Sequence, residues 1–541
     1  MTFLLSPRSR IGLLAALLLF VPPVFWKLPV PDSTRHMELR SLLSSQETWL
    51  RMKEGEPDAW KRPSLRGEPR LRKPPLLVWA NLLVWQGLER DTPPDVLTAR
   101  ARGLSATLAL LALVMTAVLA ERVLGPSQGG HTALLLCGMY YVLKESRLAT
   151  YDIHLFAWAS TACAGLLLLA DREAGRLRLA GAPLALLGCC AAVFTKGPVG
   201  LLVPLLAWGV GCFCLERPRF RMATAGWPLL IALLVYGLWL QQVAWNVPGA
   251  KETLLAEWAQ DRENPQPLLY YLVVLGMIFP WTLPALRSAA YFPRKVPRRE
   301  TYPWIVIGIA LLLLMCFENK RQRYLLPLLP FVAMGLLQLW NRVVAGANAQ
   351  AHPLERLHVA LLGLLSLGLP LFMLLQPILL DKQAIKGLEL PGAGALAAAV
   401  TALLLGSVAT LLLQALRQGK RGRLLPLTTL WISIAWTLTM HFYSDSYHGK
   451  HRHRAVAARL RALPTELPLY VLHSSDLYPL LEDGVLYHAV RRIPARSPSE
   501  IPPGAWVIAT DSENAPANWI ERDRWQARKN LVLYETTPAE K

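Results

Sequence analysis

Asp32 with Arg35, Arg72 with Lys73, Asp152, Lys196, and Lys320 with Arg321 are ionisable groups that fall on one side of a membrane once the apolar segments are threaded. A carboxylate can orient or deprotonate a hydroxyl. Lysine and arginine hold phosphate by charge-assisted hydrogen bonds. Collected on one face, such groups suit an anionic substrate carried on a lipid. A soluble protein gives no reason for the arrangement.

The local sequence leaves two readings for most of these residues. Asp32, in PVPDSTRHMELRSLL, either caps a short surface helix starting at Ser33 or is free for chemistry. Lys73, in RLRKPPLLVW, is pinned by Pro74 and Pro75 at the edge of an apolar stretch. There it either snorkels or meets a phosphate. Asp152, in KESRLATYDIHLF, sits where hydrocarbon begins, which is costly unless it is paired or wet. Arg147, five residues earlier, is one partner to consider, and His154 follows two residues later. Lys196, in TKGPVG, is fixed by Gly197 and Pro198, and the glycine spacing is wrong for a nucleotide phosphate loop. CFENKRQRYLLPLLP puts Glu318, Lys320, Arg321, Arg323 and Tyr324 in one turn. Its cations want an anionic partner, either a bound phosphate or lipid headgroups.

The elements that position these residues are membrane spans. The 541-residue chain is 53% hydrophobic and carries 19 tryptophans. Its apolar stretches recur at the length needed to cross a bilayer, about 20 residues. Thirteen spans are expected near 11–28, 101–120, 131–149, 153–170, 180–194, 199–215, 225–245, 267–287, 302–317, 324–340, 356–380, 393–415 and 424–440. Residues 11–28 are read as a span, not as a cleaved signal peptide. Segment 75–88 is apolar but short and reads as interfacial. With it lying in the interface, DREAGRLR (171–178), ERPRFR (216–221), PRKVPRR (293–299) and RQGKRGR (417–423) all fall inside with the N-terminus, as the positive-inside rule requires. Loop 30–74, which also holds seven acidic residues, faces outward with loops 246–266 and 318–323 and the tail. The net charge of +20 is partly topological, and no nucleic acid partner is needed to explain it.

Two units are therefore expected, a transmembrane domain over 1–440 that includes outer loop 30–74, and an outer α/β domain over 441–541. The tail is expected to carry a helix at 452–463 and strands at 467–473, 484–490, 505–510 and 530–535. Its histidines, His441, His448, His451 and His453, match no zinc-site spacing. Six of the seven cysteines lie in apolar spans and Cys316 lies near an outer edge, so they read as small apolar residues.

Asp32 with Arg35, RKPPLLVW at 72–79, SRLATYD at 146–152, FTKGPVGLLVP at 194–204, FPW at 279–281 and RYLLPLLP at 323–330 form an ordered set. In that set the chain resembles the bacterial members of the protein O-mannosyltransferase and aminoarabinose transferase superfamily, a family-39-like group whose polytopic all-α membrane fold is termed GT-C. The resemblance implies an inverting glycosyltransferase in the bacterial inner membrane. It would draw on a polyprenyl-phosphate sugar at the outer face and modify an envelope lipid such as lipid A, or a polysaccharide. Asp32 matches the first-loop catalytic carboxylate and Asp152 the second-loop acidic residue. Lys73, Lys196, Lys320 and Arg321 match regions that hold donor phosphate or an anionic acceptor, with Arg35, Arg147 and Tyr324 beside them. Ser33 stands where the family usually has glutamate. No cofactor or catalytic metal is expected, because cations can hold the developing charge on a phosphate leaving group. Protein O-glycosylation is the alternative acceptor class. A transporter or flippase for lipid-linked sugars is the alternative from another class, although transporters carry their polar residues at mid-membrane.

Overall fold

The computed structural model describes residues 5–29, 36–70, 73–215, 220–246, 266–289, 298–317, 320–346, 351–380, 394–442, 453–463, 468–472, 483–490, 493, 495–510, 519–526 and 530–536. Asp32, Arg35, Arg72, Glu318, His448 and His451 lie outside them.

Helices α1 (Pro7–Phe25), α2 (His36–Lys53), α3 (Leu76–Val84), α4 (Pro94–Leu124), α5 (Gln128–Cys137), α6 (Tyr140–Ser146), α7 (Tyr151–Ala170), α8 (Leu177–Lys196), α9 (Leu202–Cys214) and α10 (Trp227–Asn246) build the first half. Helices at Arg298–Met315, Leu329–Ala345, Pro353–Leu380, Gly394–Arg417 and Leu424–Phe442 follow. Eight described helical stretches are long and apolar enough to cross a membrane, or nine if the bent pair Leu269–Met277 and Thr282–Ala289 counts as one span. Only helices satisfy every backbone group alone in hydrocarbon, so this is the form such segments take. Ile11, Leu14 and Leu18 expose one flank of α1, which suits lipid. α7 is the central helix, with 89% of its apolar window buried.

The thirteen expected spans are not matched one for one. Stretch 131–149 is split at Gly138 into α5 and α6. Stretch 267–287 is bent by 116°. The expected pair 180–194 and 199–215 is found as two antiparallel helices, α8 and α9. Lys196, at the end of α8, reaches Asp152 at the start of α7, while Phe220, beyond α9, bridges to Asp171 just past the end of α7. α3 is only nine residues long, too short to cross, and its buried Asn81 donates to Ser45 of α2.

Hydrogen bonds and ion pairs sort the loops by end. Glu121 takes Ser6 and Ser127, Arg122 meets Asp171, and Asp171 bridges Phe220. Asn341 donates to Gln128, and Arg342 pairs with Glu300. Thr429 bonds the Leu134 carbonyl, which puts the start of Leu424–Phe442 at the same end as the start of α5. The described parts of the four strongest short basic loops therefore share the end of the molecule that holds Ser6. Asp152 and Lys196 lie at the opposite end.

Loop 30–74 is more than the short surface helix expected. α2 runs for 18 residues and buries Glu38, Ser41, Leu42, Leu43, Ser45, Trp49 and Leu50. A hairpin of β1 (Ser64–Leu65) and β2 (Glu68–Pro69) follows. α2 is covered because the tail packs on it: Leu42, Leu50, Trp85 and Leu97 form one apolar cluster with Leu460, Leu472, Leu486 and Tyr487. The tail has a helix at His453–Ala462 and strands β3 (Leu469–Leu472), β4 (Ala495–Arg496), β5 (Trp506–Thr510), β6 (Trp519–Gln526) and β7 (Asn530–Thr536). They form one sheet in the order β4-β3-β5-β7-β6. The strand expected at 484–490 is instead a helix, Asp483–Ala489. A seven-residue apolar run does not separate helix from strand by period, and packing against α2 decides it. β6, not anticipated, is a charged edge strand whose Arg522 pairs with Glu535 of β7, a sequence style that discourages edge pairing.

Candidate active site

The site is built on the packing of α7 against α8. A Cβ at Gly181 would lie 2.4 Å from the Leu169 nitrogen. One at Gly188 would lie 2.4 Å from the Ala162 nitrogen, and one at Gly165 would lie 2.3 Å from the Ala185 nitrogen. Small residues let the two backbones touch and hold an antiparallel register. Extending that register sets Lys196 opposite His154, within side-chain reach of Asp152. Asp152 occupies the first turn of α7 and Lys196 the last turn of α8, where the helix dipoles favour a carboxylate and a cation respectively. Gly197 has φ of +69°, a conformation that suits glycine, and turns the chain back after the lysine.

Lys196 Nζ donates to Asp152 Oδ1. Arg323 Nε stands 3.8 Å from Oδ2 on the other side. The Asp152 side chain is only 4% exposed, so two cations compensate one buried carboxylate. Tyr324 offers its ring to both, with Lys196 Nζ 5.1 Å and Arg323 Cζ 5.8 Å from the centroid. Tyr151 is covered by the Arg70 guanidinium at 5.5 Å. These groups border a cavity of about 440 Å3. Its wall includes Met37, Lys73, Tyr151, Asp152, Lys196, Arg323 and Tyr324, and Leu314 and Phe317 supply an apolar side. Three cations and one carboxylate give this wall a net positive charge. A phosphate could enter against lysine and arginine, with an apolar chain on the Leu314 side.

The structure brings Lys73, Asp152, Lys196 and Tyr324 together. It takes three other candidates elsewhere. Arg147 is buried and donates to the carbonyls of Pro23, Val24 and Lys27, each at 3.0 Å, so it caps the end of α1. Asp152 pairs with Lys196 and Arg323, and not with Arg147. Lys320 is buried and donates to the Gln266 carbonyl at 3.2 Å. Arg321 precedes the 3-10 segment Gln322–Leu328 and is not part of the cavity wall. Arg323, which belongs to the same basic turn, is the member that reaches the cavity. Its signal was the charge of the turn; the direction of each side chain was not legible there.

No family model and no curated protein sequence matches the chain. Its structure is similar to ArnT from Cupriavidus metallidurans bound to undecaprenyl phosphate, with a TM-score of 0.68, 16% identity and 97% of each chain covered. It is similar to ArnT of the same organism in the apo state, with a TM-score of 0.67, 14% identity and 97% of each chain covered. The chain has the fold of ArnT. The polytopic helical body with a small C-terminal sheet expected from the sequence is thus the one found. The coverage of ArnT includes the tail as well as the helical body.

Proposed function

We propose that this chain is a glycosyltransferase that moves a sugar from a polyprenyl-phosphate donor to an envelope lipid or polysaccharide, with inversion at the anomeric carbon. 4-amino-4-deoxy-L-arabinose is the candidate sugar and lipid A the candidate acceptor. The observation that carries this reading is the cationic wall of Lys73, Lys196 and Arg323 around a membrane-edge cavity with an apolar side. That pairing of surfaces matches a phosphate joined to a long hydrocarbon. The likeness to an ArnT that binds undecaprenyl phosphate supports the same class of donor. Basic loops at the opposite end support an inner-membrane orientation with the N-terminus cytoplasmic and the cavity outward.

In this reading an acceptor oxygen attacks the anomeric carbon, and the bond from that carbon to the phosphate oxygen breaks. The bonding electron pair leaves on phosphate, where Lys73, Lys196 and Arg323 stabilise it. A hydroxyl acceptor loses its proton to a carboxylate, for which Asp32 is our candidate, while a phosphate acceptor has no proton to lose. Asp152 has a different task. With Lys196 on one oxygen and Arg323 beside the other, it holds the two cations in place. The test is transfer by purified full-length protein from a panel of radiolabelled polyprenyl-phosphate sugars to an envelope extract. We expect label in a lipid or glycan fraction, dependent on Lys196. Absence of transfer from every donor, with label appearing across a vesicle membrane instead, would favour a transporter.

A further inference from the structure

Among the described residues the tail contributes none to the cavity wall, yet two sets of buried polar contacts, linked by one turn of α4, lie between the tail and that wall. Tyr487, on the tail helix Asp483–Ala489, is 1% exposed. Its hydroxyl donates to the Pro94 carbonyl at 3.1 Å and stands 2.9 Å from Thr98 Oγ1. Thr98 lies one helical turn before Arg102 on α4. Arg102 grips Glu38 of α2 with two hydrogen bonds, Nε to Oε1 at 2.8 Å and Nη2 to Oε2 at 2.9 Å. Its Nη1 also donates to the Leu28 carbonyl at 2.7 Å. Glu38 Oε1 accepts the Ala149 amide at 2.9 Å, three residues before Asp152. Met37, next to Glu38, and Tyr151, next to Asp152, both line the cavity. The Arg102 and Glu38 side chains are 2% and 0% exposed. A buried ion pair adds little stability over apolar residues of equal volume. A bidentate arginine does fix both the distance and the plane of its carboxylate. We propose that Glu38 and Arg102 are positioning residues that set the cavity wall at Met37 and Tyr151–Asp152, and that the tail braces this pair through Tyr487.

The effect on turnover rests on the transferase reading above; the bracing itself does not. Full-length Glu38→Gln and Tyr487→Phe proteins, each confirmed monodisperse in detergent, separate the two. The readouts are kcat, KM for the polyprenyl-phosphate sugar, and amide exchange of the peptide 147–153. Glu38→Gln is expected to lower kcat by about 100-fold, the scale of a misplacement near 1 Å, with KM unchanged. It is also expected to speed exchange in that peptide. Tyr487→Phe, which keeps the ring and its packing, is expected to shift all readouts the same way by less. Glu38→Asp, which keeps the charge, should recover part of the rate. Wild-type kcat in both variants, or lost kcat with unchanged exchange at 147–153, overturns the proposal. If the wild-type protein transfers no sugar, the transferase reading fails, and exchange at 147–153 still decides the brace.

Discussion

Lys196 and Arg323 flank Asp152, and the carboxylate gains its meaning from them. Replacing it by asparagine keeps the shape and leaves two cations facing each other without compensation. Asp152→Asn is therefore expected to insert normally and to lose about 100-fold in kcat as the cations move apart. Steady-state transfer assays check this, and a wild-type rate would make Asp152 a bystander. At this scale the sequence was partly legible. Asp152 and Lys196 stood out because ionisable groups at a hydrocarbon edge must have a partner. Arg147 carried the same signal and proved to cap α1 through three carbonyls. Charge in a string of residues does not tell which way a guanidinium points, and the same limit separated Lys320 and Arg321 from Arg323.

Glycines on α7 and α8 hold the element-scale geometry. The register they allow is what delivers Lys196 to Asp152, so a methyl group in that seam should act at the cavity. Gly188→Ala places a carbon 2.4 Å from the Ala162 backbone, and overpacking of this kind costs about 1–3 kcal/mol. A lower melting temperature in detergent is expected, together with a lower transfer rate. Gly209→Ala on α9 meets nothing within 4 Å and serves as the control, with both quantities unchanged. Equal behaviour of the two variants would remove the seam from the account. The seam was not legible in the sequence, because a glycine in an apolar run reads alike whether it touches a backbone or lipid. The helix Asp483–Ala489 was misread as a strand for a related reason: its form is set by α2, which lies more than 400 residues away in the chain.

The whole molecule separates its charges by end. The basic loops gather with Ser6, and the cavity with its cationic wall lies at the far end of α7 and α8. This division was legible early, since charge in short loops and the length of apolar stretches follow directly from the cost of hydrocarbon. The helix count was less so, because one apolar stretch is split at Gly138 and another is bent by 116°. The joint cluster of α2 and the tail was not legible, since it links segments that the spans keep far apart in sequence. The central claim is that Lys73, Lys196 and Arg323 form a cradle for a lipid-linked phosphate. Its most direct test is the affinity of a nonhydrolysable polyprenyl-phosphonate sugar for detergent-solubilised variants. A hydrogen bond to a charged group is worth about 1.5–3 kcal/mol. Lys73→Ala, Lys196→Ala and Arg323→Ala should therefore each weaken binding by about 10-fold to 150-fold. Lys320→Ala, whose amine donates to the Gln266 carbonyl and is not part of the cavity wall, should bind as the wild type does. Unchanged affinity in all three cavity variants, or a loss only in Lys320→Ala, would contradict the account.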